Sequence, residues 1–387
     1  MPLPSEELAA LLLLNWMMKG SVRKLNEYFD QGVKPAELVE RILSENWLDK
    51  AESLQRARTV FNAEKEIESC RKQNIKILTR FDEAYPRSLR QIYDPPVLLY
   101  VKGELLDSDD AAIAVVGSRH ASFYGRTQAK RISRDLAGSG LTIVSGLARG
   151  IDQAAHEAAL EINYGRSVAV MGCGLDSVYP PENRKLYDQL AERGALVSEY
   201  ALGIEPRAMN FPIRNRIISG LSLGVLVVEA HARSGSLITA KEALEQGREV
   251  FAVPGPVDQL TSRGTHQLLK DGAYLVEDAS DILQILAGTL RTRTVRASQG
   301  DLFLNGGEEK SKEVEDESQK PIAAPLRSSC QEPEGQLMAL LSERPLTYDE
   351  LMSRMTAAPG SIALMLVNLE LGKRIHKNRD GRFALCP

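Results

Sequence analysis

The stretch Ala112-Ile-Ala-Val-Val-Gly-Ser-Arg119 decides the fold. Five apolar residues in a row read as a strand buried on both faces, and the glycine after them frees the backbone at the strand's carboxyl end. The pattern recurs along the chain. Leu141–Val144, Ser167–Met171, Ala195–Val197, Gly224–Val228 and Glu249–Val253 are further short apolar runs, and the segments between them carry helical periodicity. Such alternation predicts an α/β fold, a doubly wound, Rossmann-like parallel sheet with helices on both faces. Ligands of these sheets sit beyond the carboxyl ends of the strands. The loops there are the places to search for chemistry.

The first loop is Gly117-Ser118-Arg119. Gly117 lets the backbone approach an anion, the following helix presents N–H groups, and Arg119 can fork two hydrogen bonds to a phosphate. The second loop, Ser145-Gly146-Leu-Ala-Arg149-Gly150-Ile-Asp152, offers close approach at Gly146, and Asp152 is expected to cap the next helix. In the third, Cys173 stands between Gly172 and Gly174, but no His or Asn supports it as a nucleophile. Beyond Tyr179-Pro180, Arg184 and Lys185 lie near a helix start, within reach of a phosphate or simply solvated.

The run Phe211-Pro-Ile-Arg-Asn-Arg-Ile-Ile-Ser-Gly220 is the sharpest item. One helical turn joins an aromatic anchor to Arg214, Asn215 and Arg216. Either arginine alone has a competing role as partner of a buried carboxylate such as Glu229. Ser234-Gly235-Ser236 places small residues at another helix N-terminus, a dipole-assisted anion site or an ordinary cap, and Lys241 projects from that helix.

Several classes are excluded. The first loop lacks GxGxxG and the second strand has no acidic end, so a dinucleotide enzyme is not expected, nor any other cofactor. The four cysteines are scattered without a CxxC pair, which argues against a zinc site or disulfide framework and suits a reducing cytoplasm. Leu11–Leu14 is too short for a signal peptide and follows Glu6 and Glu7, and no window reaches the length of a membrane span. Net charge is −4, so any polyanion site must concentrate its positive charge on one face. The loops carry cations and no convincing general base. They suit binding of a polyanion rather than catalysis. Phe211, Tyr179 and Phe123 are the rings available for base stacking.

Around the sheet the organisation is modular. Residues 1–70 read as a small helical, SAM-like domain, with Leu8, Leu11, Leu12 and Trp16 at helical spacing and Lys19-Gly-Ser21 as a turn. The sheet domain occupies 71–290. Residues 291–328 lack the apolar content of a core and read as a linker. Residues 329–387 predict a winged helix: Gln336–Leu341, a second helix opened by the capping box Thr347-Tyr-Asp-Glu350, a third over 360–371, and a hairpin with an Asp380-Gly381 turn.

The motifs of residues 115–119, 145–152, 172–176 with Tyr179-Pro180, 211–219, 234–240 and 253–255 together closely resemble the DprA (Smf) DNA-processing family, over roughly residues 80–280. The resemblance implies a cytoplasmic, non-enzymatic protein that binds single-stranded DNA. It also implies protection of incoming DNA during natural transformation, loading of the RecA recombinase and a homodimer. By position, Gly117, Ser118 and Arg119 are implied to contact phosphate, with Gly146, Arg214 and Asn215 lining the same pocket and Lys241 nearby. A loop lysine that many members carry has its first counterpart here in Lys185. One rival class shares the sheet: nucleotide phosphoribohydrolases of the lysine-decarboxylase-like group, for which Glu242 would be the acid, although the Pro-Gly-Gly loop they need is missing.

Overall fold

The computed structural model describes residues 3–18, 22–45, 50–288, 333–355, 362, 365–366, 369–370, 374–378 and 381–385. By its internal contacts the chain divides into two units, Met1–Gln284 and Ile285–Pro387.

The first unit opens with helices α1 (Ser5–Met18), α2 (Arg23–Asp30), α3 (Pro35–Glu45), α4 (Ala51–Val60) and α5 (Ala63–Lys72). Their apolar stripes supply Leu11, Leu12, Leu14, Leu25, Phe29, Leu38 and Leu54, all buried. These side chains form one core with Leu98, Tyr100, Ala169, Met171 and Leu196 of the sheet. Asn15 adds a polar tie, its Nδ2 donating to the Glu199 carbonyl at 2.8 Å. The Lys19-Gly-Ser21 turn lies outside the described residues.

The sheet has nine strands: β1 (Ile75–Thr79), β2 (Leu98–Gly103), β3 (Ala112–Val116), β4 (Thr142–Ser145), β5 (Ser167–Val170), β6 (Ala195–Ser198), β7 (Gly224–Val227), β8 (Glu249–Ala252) and β9 (Tyr274–Leu275). Their order is β1-β2-β6-β5-β4-β3-β7-β8-β9. The six strands expected from apolar runs are all present, within a residue or two. The seven from β6 to β9 are parallel, as expected. Two strands depart from that picture: β1 and β2 form a hairpin that joins β6 antiparallel. Side chains alternate between faces, so Val168 and Val170 enter one core while Ala169 enters the other.

Between the strands run α6 (Arg87–Arg90), α7 (Phe123–Gly138), α8 (Ile151–Glu161), α9 (Arg184–Arg193), α10 (Asn210–Gly220), α11 (Gly235–Glu245) and α12 (Arg263–Lys270). The winding direction reverses once. β3, β4, β5 and β6 step to one side, and α10 then carries the chain back to place β7 on the free flank of β3. The loops leaving β3 and β7 therefore diverge, and a crevice opens at their carboxyl ends.

Arg216 fixes α10 in place. Its Nη1 and Nη2 donate to the two Glu199 carboxylate oxygens at 2.9 and 2.7 Å, and Asp94 stands 3.4 Å from Nε. Arg216 is 6% exposed and Glu199 2%.

In the second unit, Pro333–Glu343 and Tyr348–Arg354 are helical, and β10 (Ile375–Lys377) pairs antiparallel with β11 (Phe383–Leu385). The Thr347–Glu350 capping box forms as expected, Thr347 N–H donating to the Glu350 carboxylate at 2.9 Å. The linker over 291–328 and most of the expected helix over 360–371 lie outside the described residues.

Removing Arg216 strands a buried Glu199 carboxylate. We expect Arg216→Ala to lower the unfolding free energy by about 3–5 kcal/mol, read from urea denaturation. A near-neutral result would refute the brace.

Candidate nucleic-acid interface

A cleft of about 510 Å³ occupies the crevice. The β3 loop supplies Gly117, Ser118 and Arg119. The start of α10 supplies Phe211, Pro212, Arg214 and Asn215. The start of α11 supplies Ser234, Gly235 and Ser236, and Tyr179 closes the side toward β5.

Arg214 is the chemical centre. It is 3% exposed, and its Nη1 donates to the carbonyls of Gly146 (3.1 Å) and Val170, at the ends of β4 and β5. Its Nε–H has no hydrogen-bond partner among the described residues. Burial draws its pKa down to about 10, against the opposing pull of Asp152. It therefore remains a cation at neutral pH. Arg119 is exposed, and both guanidinium groups lie against the Phe211 ring, at 5.0 Å for Arg119 and 5.8 Å for Arg214. The Tyr179 and Phe211 rings are 5.6 Å apart.

Glycines make room for this arrangement. A Cβ on Gly146 would stand 2.6–2.8 Å from the Arg214 guanidinium, and one on Gly172 would stand 2.9 Å from the Phe211 ring. Asp152 differs from its expected role. Gly150 occupies the cap position of α8, and Asp152 is buried in the first turn, its Oδ2 accepting the Gly146 N–H at 3.1 Å. The Gly146 residue is thus gripped at its N–H by Asp152 and at its C=O by Arg214. Burial raises the Asp152 carboxyl, opposed by the Arg214 charge.

Glu229, at the end of β7, is not capped by an arginine either. Its carboxylate accepts the Ser122 N–H at 2.9 Å and the Ser122 hydroxyl at 3.2 Å, and its carbonyl accepts the Ser118 N–H at 2.7 Å. The two loops that border the crevice are thereby tied together.

Asn215 and Ser234 hold the α10 and α11 starts in register. Asn215 Nδ2 donates to the Gly235 carbonyl at 3.4 Å, and the Ser234 and Ser236 hydroxyls are 2.8 Å apart. Four candidates do not line the cleft. Gly146 touches Arg214 through its carbonyl but is not among the cleft-lining residues. Arg216 points to Glu199, as described. Lys241 is exposed along α11 and pairs with Glu245 at 3.5 Å. Lys185 is exposed on the first turn of α9 and is not among the cleft-lining residues. Glu242 is also outside the cleft, among Glu245, Arg216 and Asp94, so the hydrolase reading loses its acid. His156 packs, as its apolar neighbours suggest: it is fully buried, 2.7 Å from Ser167 Oγ, and burial takes its pKa down to about 3. Among the described residues no group of carboxylates, histidines and cysteines is arranged to hold a metal, and no helix is long and apolar enough to cross a membrane.

Known proteins are similar to this chain in sequence and fold. Residues 76–287 match the family model for DNA recombination-mediator protein A, and 319–381 match the DprA winged helix domain. The chain belongs to the DprA/Smf family. Protein Smf of Escherichia coli is 52% identical over 214 residues, 55% of this chain and 57% of that protein. DNA processing protein DprA of Streptococcus pneumoniae is 48% identical over 202 residues, 52% of this chain and 71% of that one. The X-ray structure of the Streptococcus pneumoniae DprA superposes with a TM-score of 0.64 at 38% identity, covering 73% of this chain and 98% of that one. DNA processing protein A of Helicobacter pylori, whose structure was described for its single-stranded DNA binding mode, gives 0.50 at 30% identity over 56% of this chain and 98% of that one.

Cys173 is 1% exposed, and burial pushes its thiol up to about 11; Cys70 is likewise pushed to about 12. We expect iodoacetamide at neutral pH to leave both unlabelled in the folded protein and to label both in urea, read by peptide mass spectrometry. Fast labelling of native Cys173 would restore the nucleophile reading.

Proposed function

We propose that the chain binds single-stranded DNA in the switch-point cleft, with Arg119 and Arg214 on phosphate oxygens and Phe211 against a base. The observation that carries this is the pair of guanidinium groups against one aromatic ring, one exposed and one buried with an Nε–H that has no partner among the described residues. Backbone amides at the α11 start add neutral donors for the same anion. Bases in a duplex are stacked on one another and offer no face to Phe211, so the single strand is favoured. Family membership supports the same reading, as does the single-stranded DNA binding described for the Helicobacter pylori protein.

On this reading the protein acts in DNA processing without performing catalysis, as a homodimer in the cytoplasm. It shields incoming strands during transformation and hands them to the RecA recombinase. Residues 1–70 are a helical module preceding the DNA-binding domain of 71–290, and 291–328 link that domain to the winged-helix module of 329–387.

Fluorescence anisotropy with labelled oligo-dT and a matched duplex, over a salt series, tests the proposal. Arg119→Ala and Arg214→Ala should each weaken single-strand binding at least about tenfold and shallow the salt slope by about 0.7. Indifference to both substitutions, or equal affinity for duplex, would sink it.

The glycines provide a second test. Gly146→Ala should weaken binding as Arg214→Ala does, because its methyl displaces the guanidinium. Gly138→Ala, outside the cleft lining and with nothing within 4 Å of its Cβ, should bind like the wild type. The reverse ranking would contradict the assigned geometry.

A further inference from the structure

Phe123 is 80% exposed, the most exposed aromatic ring among the described residues. A single exposed ring is ordinary on a protein surface; its place in the chain and its charged neighbours set this one apart. It is the first residue of α7, and only four positions separate it from Arg119 at the cleft, a chain distance of at most about 14 Å.

The ring stands on a pinned stem. Ser122 caps the helix, its Oγ accepting the Gly125 N–H at 3.0 Å, while its own N–H donates to Glu229. The Tyr124 hydroxyl donates to the Pro254 carbonyl at 2.8 Å, and Arg126 Nη1 donates to the Ala121 carbonyl at 2.5 Å. A Cβ on Gly125 would overlap the Glu229 carboxylate, so the helix start sits tight against β7. With the backbone under the ring held this way, stacking on the ring requires little further ordering of the chain.

The surroundings select what stacks. From Gly117 to Arg134 the chain has five Arg and Lys residues and no carboxylate. Lys130 and Arg134 pair with Glu157 and Glu161 on α8. Arg119 and Arg126 form no ion pair among the described residues, and they bracket the ring in sequence on either side. An exposed ring in a segment rich in cations and free of carboxylates suits a base with its phosphates better than an apolar protein surface.

We propose that Phe123 is a second base platform, outside the cleft, for the strand whose phosphate Arg119 holds. This rests on the cleft being the single-strand site. The strand then leaves the cleft over the start of α7, and a nucleotide beyond the cleft stacks on Phe123.

The test is anisotropy of the full chain with oligo-dT from about 4 to about 16 nucleotides, comparing wild type, Phe123→Ala, Phe123→Trp and Arg119→Ala. Phe123→Ala should bind the shortest oligonucleotide like the wild type. It should bind the longer ones at least about fivefold more weakly, the effect of losing one stacked base, and Phe123→Trp should restore them. Circular dichroism will show whether the fold is kept. Equal affinity of Phe123→Ala and wild type at every length would overturn the platform and leave the cleft reading standing, as would an equal loss at every length. A change in oligomeric mass without a change in DNA affinity would assign the ring to a protein contact instead. Arg119→Ala binding like the wild type would remove the cleft reading, and the platform with it.

Discussion

A guanidinium taken out of water must find acceptors, and Arg214 finds them in the backbone. Its donors meet the carbonyls of Gly146 and Val170, oxygens that β4 and β5 present at their carboxyl ends where the ladder stops. Backbone oxygens are neutral, so the charge of Arg214 is solvated without being cancelled. A carboxylate partner in direct contact would have neutralised the site. Asp152 lies one step back, bonded to the Gly146 N–H, so it steadies the peptide and lowers the cost of burying the cation. The local sequence follows from this one placement. Residue 146 must lack a side chain, residue 172 must leave room for Phe211, and α10 must begin close enough to the sheet for its second turn to reach β4 and β5.

Helical geometry explains why neighbouring arginines do opposite work. Residues two apart on a helix differ by about 200° around its axis. Arg214 and Arg216 therefore cannot share a face. One enters the cleft, and the other meets Glu199 and Asp94 on the scaffold side. Reading Arg214-Asn215-Arg216 as a single cationic patch overlooks this angle. Glu199 also joins, through its carbonyl, to Asn15 of α1, so the scaffold arginine belongs to the joint between the helical segment and the sheet.

How far the sequence carries is set by how local each signal is. Buried parallel strands are continuous apolar runs, so Ala112–Val116 and its five companions were legible almost residue for residue. The β1–β2 hairpin was not. Ile75-Lys-Ile-Leu-Thr79 mixes a charge into a short run, and β2 follows two prolines, Pro95 and Pro96. The strand order rests on long-range pairing that no local pattern encodes. In the site, Gly117, Ser118, Arg119, Phe211, Arg214, Asn215, Ser234 and Gly235 converge because each stands at a strand end or helix start. Lys185 and Lys241 also stand near helix starts, but long exposed side chains on a helix take their direction from the surface around them. Asp152 looked like a cap because acidic residues near helix starts usually are. Only the fold shows that Gly150 already fills that position, with φ +81°.

A crevice between diverging loops needs something to set its width. Glu229 supplies the brace. It leaves β7 and reaches across to the β3 side, its carbonyl engaged by Ser118 and its carboxylate by Ser122, and Gly125 brings α7 close enough for the reach. The brace lies outside the cleft lining, so it sets the separation of the loops without competing for the anion. Gly150 closes the same loop from the other side, where the Ile151 N–H donates to the Ser118 carbonyl at 3.2 Å and a Cβ on Gly150 would overlap that oxygen. The β3 loop is thus gripped by β7 and α8 together. Its backbone is held by the fold, so binding does not carry the ordering cost that a mobile loop would add.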